Sequence, residues 1–573
     1  MSRAPRSNGD NFRLRAFFMF GVLLAGAAGL LVRAVDLQLV DHQFLASQGD
    51  ARLTREVTTA ANRGAILDRN GTALAISTPV ASVWGNPGEL AAVPEQWGSL
   101  AKALHRRPGE FTRRISSNQE RSFLWLARHL PPDDAQAVRK LNLPGVHLTR
   151  EYRRYYPAGE VVGHVLGFTN IDDEGQEGAE LAFDHWLAGE DGRKRVIQDR
   201  MGRKVQDVES IRDVREGKDL TLSLDMRIQY LAYRELKAAI TQNRASSGSM
   251  VVIDVTTGEI LAMVNQPTYN PNNRGQITAA MYRNRAVTDL LEPGSSIKPF
   301  IVAAALQSGR FDSASVIDTS PGAVKVGSKV FDDEHPRGAI GLAEVLAFSS
   351  NVGMVKVGRA LEPKQLWSTL TSLGFGHVTA SGFPGESAGV LANYASWRDI
   401  AIASLSIGYG LSVTPLQLAQ GYATLGSLGL ARPVSMLRVE GEVQGERVLS
   451  EHNARTLISL LESVVSEGTG TKAAIAGYRV AGKTGTARKN SSGGYYEDRY
   501  TAVFGGVAPA TRPRLAAVVV IDDPAAGRYY GGDISAPVFS AVVGGALRLM
   551  GVAPDAKGAT ADPLTGVTTV VRR

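Results

Sequence analysis

The chain has 573 residues, a net charge of +7, 44% hydrophobic and 21% charged residues, and no cysteine. That length predicts about three or four domains, and the ordinary apolar and charged fractions exclude a wholly disordered or collagen-like chain. Without cysteine there can be no disulfide framework, Cys-ligated zinc, iron–sulfur cluster or thiol nucleophile. The histidines are scattered with no His-Glu-x-x-His pattern, which speaks against a zincin. Interleaved acids and bases with few aromatic residues speak against a nucleic-acid surface. No metal, cofactor or nucleic-acid partner is expected.

Arg3, Arg6, Arg13 and Arg15 precede an apolar run over residues 16–32, closed by Arg33 and Asp36. At about 1.5 Å per residue this run reaches roughly 26 Å, near the lower limit for a membrane span, and Leu37 and Leu39 extend it. A cleaved signal peptide is the competing reading, but the small residues at 25–29 lie inside the apolar stretch and no small-x-small site follows Val32. The arginines therefore predict a cytoplasmic tail over 1–15, an uncleaved anchor over 16–38 and an exported body.

Residues 39–215 form one compositional block, with alternating segments, turns such as Asp68-Arg69-Asn70-Gly71 and a charged, more helical stretch over 100–143. The pattern changes near 210–220, where residues 220–224 read as a strand and 226–240 as an amphipathic helix. A second domain is expected over 216–550. In it, residues 249–264 read as a hairpin about Val255-Thr256-Thr257-Gly258, and residues 500–507 and 515–521 form a later pair. Helical patterns over 297–306, 343–360 and 415–425 lie between them. Strands at both ends with helices between predict an α+β fold whose antiparallel sheet is flanked by helices. Residues 551–573 read as a loose tail.

Three short motifs carry candidate chemistry. In Ser295-Ser296-Ile297-Lys298, Pro299 forces a helix to start close to Ser295, because only the first N–H groups of a helix lack acceptors. A hydroxyl and an amine one turn apart suit a nucleophile and its base, although Ser-x-x-Lys arises roughly once by chance in such a chain. Ser349-Ser350-Asn351 reads most simply as a helix cap, and Lys483-Thr484-Gly485-Thr486 as a turn. Residues 477–484 also satisfy the phosphate-loop pattern, but no apolar helical period follows Lys483, and such a loop needs a helix there.

Together, in this order, the three motifs resemble the active-site set of penicillin-binding proteins and serine β-lactamases. Arg63-Gly64-Ala65-Ile66-Leu67-Asp68-Arg69-Asn70-Gly71, Tyr155-Tyr156-Pro157-Ala158-Gly159 and Gly408-Tyr409-Gly410 with Val413-Thr414-Pro415-Leu416-Gln417-Leu418 extend the likeness to class B penicillin-binding proteins. Within that class the resemblance is to the division-specific transpeptidases of Gram-negative bacteria, the penicillin-binding protein 3 type.

The resemblance implies a pedestal (dimerisation-type) domain over 39–215, a transpeptidase domain over 216–550, and peptidoglycan stem peptides ending in D-Ala-D-Ala as substrate. It implies Ser295 as nucleophile, Lys298 as its base, and Ser349 with Lys483 as proton relay. Asn351 would hold the substrate amide, Thr484 and Thr486 beside Gly485 the terminal carboxylate, and the backbone N–H groups of Ser295 and Thr486 the oxyanion. It implies β-lactams as acylating mimics, and a SEDS-type glycosyltransferase and other division proteins as partners in the inner membrane at the septum. A β-lactamase would need a group to activate deacylating water, for which Glu386 in Phe383-Pro384-Gly385-Glu386 is the residue to test. The alternative from another class is a non-catalytic β-lactam sensor or periplasmic scaffold.

Overall fold

The computed structural model describes residues 9–40, 54–198, 204–275, 277–491, 493–556, 559–561 and 568–570. Residues 1–8 of the expected 1–15 tail, residues 41–53 near the start of the block, and 557–558, 562–567 and 571–573 of the C-terminal tail lie outside these residues. Of that tail, Ala559–Ala561 and Thr568–Val570 pair as antiparallel strands, where a loose segment was expected; β-branched Thr568, Thr569 and Val570 favour the extended state.

Helix α1 (Gly9–Val35) runs past both ends of the 16–32 apolar run. The candidate span Phe12–Leu39 has 28 residues, and its most apolar 18-residue stretch has a mean hydropathy of 2.0 with none of it buried in the protein. The helix is therefore long and apolar enough to cross a membrane without the tight fit that the run alone predicts.

The chain packs into two units. The first comprises Met1–Ala61, Pro79–Tyr152 and Glu190–Glu216; the second comprises Asn62–Thr78, Arg153–Gly189 and Gly217–Arg573. The chain thus passes from one unit to the other repeatedly, whereas a single boundary near 215 was expected. In the first unit, Val83, Trp84 and Gly85 pair with Ala127, Trp125 and Leu124. Three short helices, Trp97–Ala103, Pro108–Ser116 and Pro132–Leu141, bury Leu100, Phe111, Ile115 and Val138 in the same core. A separate antiparallel sheet joins Thr54–Thr59, Gly192–Gln198 and Lys204–Arg212.

The second unit is built on a five-stranded antiparallel sheet. Its strands are β1 (Ser247–Asp254), β2 (Ile260–Gln266), β5 (Ala481–Ser491), β6 (Gly494–Ala508) and β7 (Leu515–Asp522), in the order β2-β1-β7-β6-β5; a small hairpin, β3 (Ala323–Val326) with β4 (Lys329–Asp332), intervenes in the chain. Both sheet faces are apolar. Met250, Val252, Ala517 and Val519 lie in one core with α2 (Met226–Gln242) and the C-terminal helix, whereas Val251, Ile253, Ala516 and Val518 face the other. This two-sided burial explains the unbroken apolar runs at 250–253 and 515–521.

The helices between the strands include α3 (Lys298–Gln307), α4 (Leu342–Ala347), α5 (Asn351–Arg359), α6 (Pro415–Gly426) and α7 (Glu451–Ser466), and α8 (Gly531–Leu549) follows the last strand. The Val413-Thr414-Pro415-Leu416-Gln417 motif is the start of α6. Thr414 Oγ1 accepts from Gln417 N–H (3.1 Å), Gln417 Oε1 accepts from Thr414 N–H (2.9 Å), and Pro415 takes the first position, where no donor is missed. The helical stretch over 343–360 is two helices, α4 and α5, divided at the Ser349-Ser350-Asn351 cap. Ser349 has φ +60°, which reverses the path, and Ser350 caps the new helix by accepting from Gly353 N–H (2.9 Å).

Candidate active site

Ser295 sits in a 3₁₀ turn, Gly294–Ile297, immediately before α3, so the helix itself begins at Lys298 with Pro299 in its first turn. Two glycines let other segments reach this turn. A Cβ on Gly485 of β5 would lie 2.8 Å from Pro293 O and 3.1 Å from Ser296 Cβ, so glycine allows the edge strand to run against the turn that carries Ser295. Gly408 (φ +87°) approaches from the other side, where a Cβ would stand 1.9 Å from Gly294 O.

Lys298 is wholly buried and its Nζ is the hub of the site. It donates to Ser349 O (2.6 Å) and Asn351 Oδ1 (2.9 Å), with Ser349 Oγ at 3.1 Å and Ser350 O at 3.4 Å. Burial first, and then the positive charge of Lys483, hold its pKa well below the usual lysine value, against an opposing pull from Asp333. A neutral amine has two N–H groups and one lone pair. In that form the carbonyls of Ser349 and Asn351, the two nearest partners, would take the two donors and leave a lone pair able to accept a proton.

Lys483 lies inside β5 rather than in a turn, and is equally buried. Its Nζ donates to Thr484 O (3.2 Å) and Thr484 Oγ1 (3.3 Å), and burial lowers its pKa to about 7. Thr484 Oγ1 is 2.7 Å from Thr469 Oγ1, and Thr486 Oγ1 accepts from Gly531 N–H at the start of α8 (3.1 Å). Because residues 477–484 run into a strand, the phosphate-loop reading lacks the helix it requires.

A cavity of about 510 Å³ is lined jointly by Ser295, Ser349, Asn351, Thr484 and Thr486. The protein therefore brings five of the expected residues to one space, with Lys298 and Lys483 buried beneath and Gly485 packed on the Ser295 turn. No hydrogen bond joins Ser295 to Lys298, or Lys483 to Ser349, among the described residues. Catalytic contacts of this kind tighten when substrate is bound.

Asp333 has no counterpart among the expected residues. It follows β4 and accepts from Ser350 Oγ (2.6 Å), Asn351 N–H (2.5 Å) and Val352 N–H (3.0 Å). Phe331-Asp332-Asp333-Glu334 reads as a surface turn, and only the hairpin brings it to α5. Glu386 is accounted for differently: it accepts from Thr379 N–H (2.5 Å) and Ser381 Oγ (3.0 Å), stapling its own loop, and it does not line the cavity. Among the described residues no group of three or more acidic or histidine side chains is placed to hold a metal ion.

Residues 248–544 match the family described as Penicillin binding protein transpeptidase domain, and residues 58–222 the Penicillin-binding Protein dimerisation domain. The chain is 45% identical over 548 residues to the peptidoglycan D,D-transpeptidase FtsI of Escherichia coli K12, covering 95% of this chain and 93% of the relative. It is 42% identical over 541 residues to the probable peptidoglycan D,D-transpeptidase PbpC of Pseudomonas aeruginosa, covering 94% and 96%. Among solved structures, penicillin-binding protein 3 of Mycobacterium tuberculosis complexed with aztreonam aligns with a TM-score of 0.68 at 26% identity, over 87% of this chain and 98% of that one. The transpeptidase domain of Burkholderia pseudomallei penicillin-binding protein 3 aligns at 40% identity with a TM-score of 0.55, over 58% and 98%. With the fold, the three motifs around one cavity and relatedness over nearly the whole chain, the protein belongs to the class B penicillin-binding proteins.

Proposed function

We propose that this chain is a membrane-anchored peptidoglycan D,D-transpeptidase that crosslinks stem peptides through an ester on Ser295 during septal wall synthesis. The observation that carries the reading is the buried amine of Lys298, whose charged form burial disfavours, committed to Ser349 and Asn351 beside the cavity that Ser295 lines.

Ser295 Oγ attacks the carbonyl carbon of the penultimate D-Ala, and its proton passes to the lone pair of Lys298 Nζ. Charge on the carbonyl oxygen is taken up by the backbone N–H groups of Ser295 and Thr486, at the junction where Gly485 lets β5 meet the nucleophile turn. The C–N bond then breaks. The proton reaches the departing amine of the terminal D-Ala through Ser349, with Lys483 supplying positive charge, while Thr484 and Thr486 hold the carboxylate and Asn351 the amide. An amine of a second stem attacks the ester, Ser295 Oγ leaves with a proton, and a new amide joins the strands. A β-lactam that mimics D-Ala-D-Ala follows the first half and stalls as the ester.

In this reading residues 1–15 are cytoplasmic, 16–38 anchor the chain, 39–215 form the pedestal and 216–550 the catalytic domain. The basic N-terminal flank and the exposed apolar helix support the orientation. The body works at the septum beside a SEDS-type glycosyltransferase and other division proteins. The test is mass spectrometry of the full chain in detergent after exposure to a penicillin, beside Ser295→Ala. A covalent adduct on the peptide containing Ser295, absent from the variant, is expected together with crosslinked product from stem-peptide substrates. An adduct on another residue, or acylation without any crosslinking in the presence of its partners, would overturn the reading.

A further inference from the structure

Asp333 lies outside all three motifs, yet its carboxylate takes every hydrogen bond described above from the first turn of α5. The N–H groups there are orphan donors, and a negative charge is favoured at that helix end. The neighbouring Asp332 carbonyl accepts from Asn351 Nδ2 (3.1 Å). With Nδ2 committed to Asp332, the other end of the amide, Oδ1, is turned to Lys298 Nζ. Directly upstream, Ser349 holds a left-handed conformation that is costly for a residue with a Cβ, and its carbonyl takes the shortest bond from the same Nζ. Strain of this kind persists only where the surroundings over-determine it. The anchor immediately after Ser349 is the turn that Asp333 clamps.

Resting on the transpeptidase reading above, we infer that Asp333 is a positioning residue of the acylation step: by clamping the first turn of α5 it holds strained Ser349 and the Asn351 amide where both engage Lys298 Nζ. The carboxylate does none of the bond-making itself. Its charge has a second effect, because the charged groups acting on Lys298 are Lys483 from β5, which pushes the amine's pKa down, and Asp333 from the loop after β4, which pushes it up. The other partners of Nζ are uncharged carbonyl and hydroxyl oxygens. Removing the charge while keeping an acceptor lets Lys298 lose its proton at lower pH, whereas removing the acceptor frees the turn.

The experiment follows the rate of acylation of the full chain by a fluorescent penicillin across pH, for the wild type, Asp333→Asn, Asp333→Ala and Glu344→Ala. Glu344 accepts from Gly341 N–H (2.9 Å) at the start of α4, so its loss is a comparable helix-end defect without contact with Lys298. Asp333→Ala is expected to acylate on the order of 10²-fold more slowly, as misplaced catalytic groups do. Asp333→Asn should recover most of that rate with its acid limb moved to lower pH, and Glu344→Ala should keep the wild-type rate and profile. A folded Asp333→Ala that acylates at the wild-type rate, or a Glu344→Ala that slows as much, would overturn the inference. If Asp333→Ala does not fold, Asp333→Asn decides: an unmoved acid limb overturns it. Absence of any Ser295 adduct on the wild type would overturn the transpeptidase reading as well, whereas normal wild-type acylation with indifferent Asp333 variants removes this inference alone.

Discussion

Two buried sets of charged side chains within the second unit handle the same problem in opposite ways. Around Arg63, most charges are paired: Nε donates to Glu180 Oε2 (2.8 Å), Nη1 to Asp184 Oδ1 (2.7 Å), and Arg154 Nε to Glu180 Oε1 (2.6 Å), while burial pushes the neighbouring Asp173 carboxyl up to about 6. Burial opposes the Arg63 charge, but Glu180 and Asp184 outweigh it and the group stays ionised. Around Lys298 and Lys483, two like charges share a dry pocket with carbonyl and hydroxyl acceptors and no carboxylate in contact. There the protein suppresses charge instead of neutralising it. Paired charges fix one arrangement of the chain, and suppressed charges leave a reactive lone pair.

The largest expected effect comes from breaking the second set. Lys298→Met removes the proposed base and should slow penicillin acylation by on the order of 10²–10⁴-fold. Its stability should move the other way. A lysine whose folded pKa lies below its unfolded value opposes folding at every pH below the unfolded value, most fully below the folded one, so at neutral pH its removal stabilises. A thermal melt of Lys298→Met at or above the wild-type temperature is the expected result, and a clear drop would contradict charge suppression.

Breaking the first set should do the reverse. Glu180→Ala leaves the buried Arg154 guanidinium without its carboxylate and Arg63 with Asp184 alone, and should cost about 3–5 kcal/mol. Melting at the wild-type temperature would show that the cluster is not a paired structural unit. A finer test uses pH. Lys483→Ala removes the positive charge that depresses Lys298, so the acid limb of the acylation profile should move to higher pH in addition to any loss of rate. A limb that stays in place would mean that the two amines do not interact. At the small end, Glu451→Gln breaks an exposed pair with Arg455 on α7 and should change stability by no more than about 0.5 kcal/mol. A larger change would blur the distinction between buried and exposed charge on which the comparison depends.

Much of the second unit was legible from its residues. Apolar runs with turn signals marked the hairpin β1–β2 and the pair β6–β7, and Pro299 marked the start of α3. What local pattern could not carry was the turn at residues 348–350. Ser349-Ser350-Asn351 reads as a helix cap, and Ser350 does cap α5, but the left-handed turn at Ser349 and the contact of its carbonyl with Lys298, 51 residues earlier, are long-range features that no local pattern carries. Asp333 was hidden for the same reason, since its partners are 17–19 residues further on and are reached through a hairpin. Lys483 read as part of a turn because Gly482 and Gly485 are turn residues by composition, yet they serve close approach within a strand: a Cβ on Gly482 would stand 2.6 Å from the Phe504 ring. The interleaving of the two units left no trace in composition, because residues 62–78 and 153–189 differ from their neighbours in partners rather than in residue type.

The measurement that bears most directly on the central claim is the pH dependence of Ser295 acylation by a penicillin in the wild-type chain, with the adduct located by mass spectrometry at each pH. A neutral Lys298 predicts a rate that rises from acid pH and levels off well below the ordinary lysine pKa, with the label on Ser295 throughout. A rate that keeps climbing until an ordinary lysine would deprotonate, or a label found elsewhere, would contradict the account.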